Sequence, residues 1–87
     1  MIVVEFFSGG DCSLCDDARE ILKSVQRDIP FHLTEIRLLP DNPRYEEYKD
    51  HIPVIHVDGS PSFRHRISEE LFREHLLALT AKKEARS

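Results

Sequence analysis

The only two thiols in the chain, Cys12 and Cys15, stand three residues apart in Cys12-Ser-Leu-Cys15. On a helix that spacing brings both sulfurs to one side of a single turn, close enough to bond. A reversible disulfide is therefore open to them. The motif lies between a β-branched and aromatic run and an amphipathic segment, where a strand hands over to a helix. There, unpaired backbone N–H groups and the positive end of the helix dipole stabilise a thiolate, the nucleophilic form of cysteine. Cys15 leads into Ala18 and Leu22 along the apolar stripe, whereas Cys12 sits at the helix mouth. Cys12 is thus expected to attack a disulfide and Cys15 to resolve the mixed disulfide.

Other readings compete with this one. A purely structural bridge closes a loop of only four residues, worth roughly 2 kcal/mol by chain entropy. A zinc site needs two further ligands. His51 and His56 have acceptable mutual spacing, but 35 residues separate Cys15 from His51 and there is no second Cys-x-x-Cys, so no metal site is expected within one chain. Two chains sharing four cysteines around an iron–sulfur cluster is a separate possibility. An inert pair filling the core is the last alternative, and the strand-to-helix placement argues against it. Asp11, Asp16 and Asp17 surround the motif, with no Lys or Arg nearer than Arg19. Their like charge opposes the thiolate that the helix end favours, so a reductant or moderate exchanger is expected rather than a strong oxidant.

The elements that must hold the motif follow from periodicity. Val3, Val4, Phe6 and Phe7 form a run apolar on both faces, as for a central strand, ending at Ser8-Gly-Gly10. Leu14, Ala18, Ile21, Leu22 and Val25 mark an amphipathic helix of about four turns. Residues 31–38 alternate as a second strand, parallel to the first in a βαβ unit. Asn42 and Pro43 suit the N-cap and first position of a short helix through residue 49, with Tyr45 and Tyr48 facing the core. Residues 54–57 and 62–67 form a hairpin around a turn over residues 58–61. Ser68 caps a last helix, with Ile67 and Phe72 as a hydrophobic staple and Leu71, Phe72, Leu76 and Leu79 on one face. The order β-α-β-α-β-β-α, with a four-stranded mixed sheet, is the layout of a thioredoxin-like three-layer α/β/α sandwich. Residues 1–80 are expected to form a single domain and residues 81–87 a polar tail.

Composition narrows the function classes. Apolar residues make up 40% of the 87 and charged residues 32%, with three Gly and five Pro, which suits a folded domain with one core. A net charge of −4 with dispersed basic residues leaves no positive surface for nucleic acid. The N-terminus lacks a basic leader, and no apolar stretch can cross a bilayer. A monomeric cytoplasmic protein without a membrane partner is expected.

Cys12-Ser-Leu-Cys15 together with His51-Ile-Pro-Val-Ile-His-Val-Asp-Gly59 resembles the glutaredoxin-like branch of the thioredoxin superfamily, in order and spacing over nearly the whole chain. Cys12-Ser-Leu-Cys-Asp16 is similar in particular to a group of short glutaredoxin-like proteins with a Cys-x-Leu-Cys motif. The resemblance implies a cis proline at Pro53 facing the cysteines, with Ile52 offering backbone hydrogen bonds to bound substrate. It implies a small thiol–disulfide oxidoreductase acting on a disulfide-bearing protein or small thiol. No cofactor would be bound, and glutathione or another thiol reductant would serve as co-substrate. A non-enzymatic binding module, or a carrier of metal or an iron–sulfur cluster, is the alternative. Ordinary glutaredoxins carry Lys where this chain has Gly9, Pro-Tyr where it has Ser13-Leu14, and Gly-Gly with an acidic residue where it reads Phe63-Arg-His-Arg-Ile67. Glutathione recognition is therefore expected to be weak.

Among the remaining polar residues, His51 is either a proton donor or acceptor for exchange or a solvated helix-end histidine. Arg64, His65 and Arg66 either meet an anionic substrate or guard an edge strand against aggregation.

Overall fold

β1 (Val3–Ser8) lies at the centre of the sheet because most of its side chains are covered: Val4, Phe6 and Ser8 on one face, Phe7 on the other. The computed structural model describes residues 1–85. Its further elements are α1 (Ser13–Asp28), β2 (His32–Arg37), α2 (Tyr45–Tyr48), β3 (Val54–Val57), β4 (Ser60–Arg64) and α3 (Glu69–Ala85). The strands lie in the order β2-β1-β3-β4. β1 and β2 run parallel, as the intervening α1 requires, and β3 and β4 are antiparallel to their neighbours. The result is the expected α/β architecture with a four-stranded mixed sheet.

The sheet separates two apolar clusters. On one side Val4, Phe6 and Ile55 pack against Cys15, Ala18, Leu22 and Val25 of α1 and Phe72 and Leu76 of α3. On the other, Phe7, Leu38, Tyr48 and Val54 form a smaller cluster. The second layer is thin because α2 has only four residues. It reaches the C-terminal half of β1 and leaves Val3 41% exposed, so the run is not apolar-covered on both faces over its whole length.

Other differences from expectation have local causes. The short helix starts at Tyr45, because the Asn42 side chain accepts a hydrogen bond from the Arg44 N–H at 2.8 Å and closes a turn there instead of capping a helix. The hairpin turn consists of Asp58 and Gly59, with φ of 50° and 84°, the left-handed pair that a two-residue turn needs. β4 therefore starts at Ser60 and ends at Arg64, two residues earlier at its start than expected and three at its end. In α3, Phe72 and Leu76 are fully buried and Phe72 meets Phe31 and Phe63 edge to face, while Leu71, one residue off that stripe, is 57% exposed. Ser68 Oγ accepts from the Leu71 N–H at 3.3 Å, and Ile67 and Phe72 share one cluster. α3 continues through Ala85, so residues 81–85 of the expected polar tail are helical, and the rest of that tail lies outside the described residues. Among the described residues no helix is long and apolar enough to cross a membrane.

Candidate active site

The loop from Gly9 to Asp11 joins β1 to α1 and delivers Cys12 as the residue capping α1. Cys12 keeps an extended backbone, with φ of −124°, and its Sγ accepts a hydrogen bond from the Cys15 N–H at 3.1 Å. One of the helix's otherwise unpartnered N–H groups is thereby aimed at this sulfur, where it favours negative charge. Cys12 and Cys15 are joined in a disulfide, with Cα atoms 5.1 Å apart. Their surroundings differ: Cys15 is 1% exposed within the main core, and Cys12 is half-buried against its edge.

A polar network ties the first turns of α1 to the parallel strands. Glu35 on β2 accepts from Arg19 Nε at 2.8 Å, from Arg19 Nη2 at 2.7 Å and from the buried Ser8 hydroxyl at 2.8 Å. Arg19 also reaches Asp16 at 2.9 Å. Hydrogen bonding from Arg19 holds the Glu35 carboxyl below its ordinary range, against the opposing effect of burial, and the same bonds raise Arg19. The nearest cation to the motif in sequence is thus committed to carboxylates.

Side chains from both flanks close on the loop glycines. A Cβ on Gly9 would stand 2.5 Å from Ile52 Cδ1, and one on Gly10 would stand 2.9 Å from Arg37 Nη2. Small residues here let the cysteine loop pack between β2 and the segment entering β3. Ile52 thus meets the loop three residues before Cys12. The Ile52–Pro53 peptide bond is cis, and Pro53 is fully buried. The Pro53 carbonyl accepts from the His65 N–H at 2.9 Å, linking the end of β4 to this segment.

A family model for the glutaredoxin-like domain (DUF836) matches residues 3–77. The chain belongs to this glutaredoxin-like family. It is 35% identical over 75 residues to the glutaredoxin-like protein YDR286C homolog of Dictyostelium discoideum, covering 79% of this chain and 69% of that one. Among solved structures, a thioredoxin-like protein from Bacillus cereus superposes with a TM-score of 0.65 at 18% identity, covering 90% of this chain and 87% of the other. Glutaredoxin 1 from Francisella tularensis, in complex with cacodylate, superposes with a TM-score of 0.50 at 14% identity over the whole of both chains. At such identities the likeness is one of fold, and it is thioredoxin-like.

Within this glutaredoxin-like domain, the other residues singled out from sequence fall in distinct places. His51 lies beside His65, its Nδ1 3.4 Å from His65 Nε2. Arg66 borders a groove of about 410 Å³ whose apolar wall includes Leu14, Ala18, Ile21 and Ile67, between α1 and the segment that follows β4. Arg64 ends β4. His56 is buried and bonded to the Tyr48 hydroxyl in the other layer, while His51 lies against His65. Among the described residues no group of three or more His, Cys, Asp or Glu is placed to hold a metal ion. Sequence reasoning missed Glu35 and Arg37, which β2 brings beside the loop through its parallel register with β1, pairing Phe6 with Glu35 and Ser8 with Arg37. A polar residue recurring every second position at the end of a strand was the available signal.

Proposed function

We propose that the protein is a thiol–disulfide oxidoreductase in which Cys12 is the nucleophile and Cys15 the resolving thiol. The observation that carries this reading is the asymmetry of the pair: a helix-capping Cys12 whose sulfur receives an N–H, and a Cys15 closed into the core. The reduced Cys12 thiolate attacks one sulfur of a substrate disulfide, forming a mixed disulfide and expelling the other substrate sulfur as a thiolate that takes a proton. Deprotonated Cys15 then attacks Cys12 Sγ, forming the Cys12–Cys15 bond and releasing the second substrate thiol. Two electrons pass from the protein dithiol to the substrate. Two equivalents of glutathione or another thiol return them, so no bound cofactor is needed.

In this reading Ile52 and Pro53 form the wall along which substrate lies, with the Ile52 backbone as its hydrogen-bonding edge. The partners are a disulfide-bearing protein or a small thiol, and the protein works as a monomer in the cytoplasm, where thiol pools stay reduced. The test uses the Cys15→Ser and Cys12→Ser variants with a neutral model disulfide, hydroxyethyl disulfide. Cys15→Ser should accumulate a mixed disulfide on Cys12, read as a mass increase, and Cys12→Ser should react far more slowly. Absence of exchange by the wild-type protein, or trapping on Cys15 instead, overturns the reading.

A further inference from the structure

Four cations have partners fixed by ion pairs: Arg19 with Glu35 and Asp16, Lys49 with Glu46, Arg73 with Asp28 and Glu69, and Lys83 with Asp58. Arg37 differs from these. Its guanidinium has no hydrogen bond or ion pair with any described residue, yet it lies directly against the backbone of Gly10, two residues before Cys12. Gly10 leaves the room it occupies, since a Cβ there would stand 2.9 Å from Nη2 and 3.9 Å from Cζ. Arg37 is the last residue of β2 and pairs in register with Ser8, the last of β1. It therefore stands at the carboxyl ends of two parallel strands, the position where open α/β sheets receive their ligands. On the opposite flank of the same loop, Ile52 covers Gly9. The loop leading to Cys12 thus has an apolar side chain on one flank and, on the other, a guanidinium without a partner among the described residues.

The carboxylates around the loop do not engage it. Asp16 is tied to Arg19, while Asp11 and Asp17 form no ion pair among the described residues. A guanidinium that is exposed, positioned and unpartnered retains its planar fork of donors, which matches a carboxylate in two parallel hydrogen bonds. An incoming sulfur compound with a carboxylate a few bonds from its reacting sulfur would place that group within the fork's reach.

We propose that Arg37 is a substrate-recognition residue that binds a carboxylate of the compound exchanging with Cys12. This rests on the thiol–disulfide reading above and adds a specificity to it. The carboxylate belongs either to a small thiol or to an acidic side chain beside a protein cysteine. Acting as reductant, a carboxylate-bearing thiolate attacks Cys12 Sγ, the Cys12–Cys15 bond breaks, and Cys15 leaves as a thiolate that takes a proton. A second thiolate attacks the substrate sulfur of the mixed disulfide, giving the oxidised compound and a reduced Cys12. Arg37 contacts the carboxylate in the mixed disulfide common to both directions.

The test measures second-order rate constants of the reduced protein with three small disulfides: 3,3′-dithiodipropionate, which is anionic, hydroxyethyl disulfide, which is neutral, and cystamine, which is cationic. A peptide disulfide with Glu next to its cysteine, and its Gln counterpart, form a second arm. Arg37→Gln should lower the anionic-to-neutral rate ratio about fivefold, the size of one exposed charge pair, and leave the neutral rate unchanged. Arg37→Glu should lower the ratio further and raise the rate with cystamine. Arg27→Gln, which removes the same charge from the far end of α1, should leave the ratio as it is in wild type. A change confined to the small disulfides assigns the site to a small thiol, and one confined to the peptides assigns it to an acidic protein segment. A ratio that is equal in wild type, Arg37→Gln and Arg37→Glu, or that falls equally in Arg27→Gln, overturns the proposal. Failure of wild type to react with hydroxyethyl disulfide would instead overturn the oxidoreductase reading itself.

Discussion

The Tyr48 hydroxyl and His56 Nε2 lie 2.8 Å apart in the buried layer on the far side of the sheet from the disulfide. His56 is 3% exposed, its ring tilted 5.0 Å from Phe7 and its Nδ1 3.7 Å from a Glu5 carboxylate oxygen. Burial makes protonation of this histidine unfavourable and lowers its pKa, with the Arg44 charge adding to the effect and Glu5 and Glu47 partly opposing it.

One consequence is a pH dependence of stability. Unfolded, His56 takes up a proton near its ordinary value of 6.5, whereas the folded protein resists doing so until lower pH. The stability linked to His56 is full above about pH 6.5 and falls as the pH drops through that value toward the folded one. Urea unfolding at pH 8 and pH 5.5 should show a larger loss in wild type than in His56→Gln. Equal losses would remove His56 as the cause.

Tyr48→Phe should destabilise by about 1 to 3 kcal/mol, because it leaves His56 Nε2 buried without its partner. Thermal unfolding measures this. The distance of the pair from the cysteines predicts an unchanged rate of exchange with a neutral disulfide.

Glu35→Gln should cost about 1 kcal/mol, the sum of a half-exposed, solvent-screened pair with Arg19 and a hydrogen bond from the buried Ser8. In wild type this contribution is present above the ordinary carboxyl value of 4.5 and is lost as pH falls below it, since Arg19 holds the folded carboxyl lower. Denaturation of both proteins across pH 3 to 7 should show the difference between them shrinking toward the acid end.

Gly9→Ala places a methyl group 2.5 Å from Ile52 Cδ1, so Ile52 must move. The variant should be destabilised by about 1 kcal/mol, and Ile52→Val, which removes the crowding methyl, should recover part of that loss. A double-mutant cycle by thermal unfolding checks the coupling; strictly additive effects would contradict the contact.

In the reduced protein, alkylation by iodoacetamide should modify Cys12 well before Cys15, which is 1% exposed. Peptide mapping after short exposure distinguishes the two, and equal labelling would contradict the assignment of roles.

The parts of this structure legible in the sequence were those set by near neighbours. The apolar stripe of α1, the cysteines at its start, and the Ser68 cap with its staple all follow from spacings of a few residues. The sequence places the hairpin turn over residues 58–61, wider than the observed Asp58-Gly59 pair, because Pro61 reads as a turn residue while in the fold it pairs with His56 beside an irregularity in the β3–β4 register. α2 starts later than the Asn42-Pro43 pair suggests, because Asn42 serves a turn as readily as a helix. Arg37 over Gly10 and Glu35 under Arg19 depend on the register of β2 against β1, which local spacing does not specify. His65, at φ of 64°, reaches His51 only because β4 ends at Arg64 and the chain turns there.

The Asp58 carboxylate accepts from the Val3 N–H at 2.9 Å through one oxygen and from Lys83 Nζ at 3.0 Å through the other, and Lys83 also reaches the Met1 carbonyl at 3.4 Å. A single hairpin tip therefore gathers the start of the first strand and the last turn of the final helix into one place. Residues 1–3 and residue 83 of the described fold thus meet at one point. A short flexible linker from residue 85 back to residue 1 should yield a circular permutant with fresh ends opened in the exposed stretch 39–41, on a connection that carries neither cysteine.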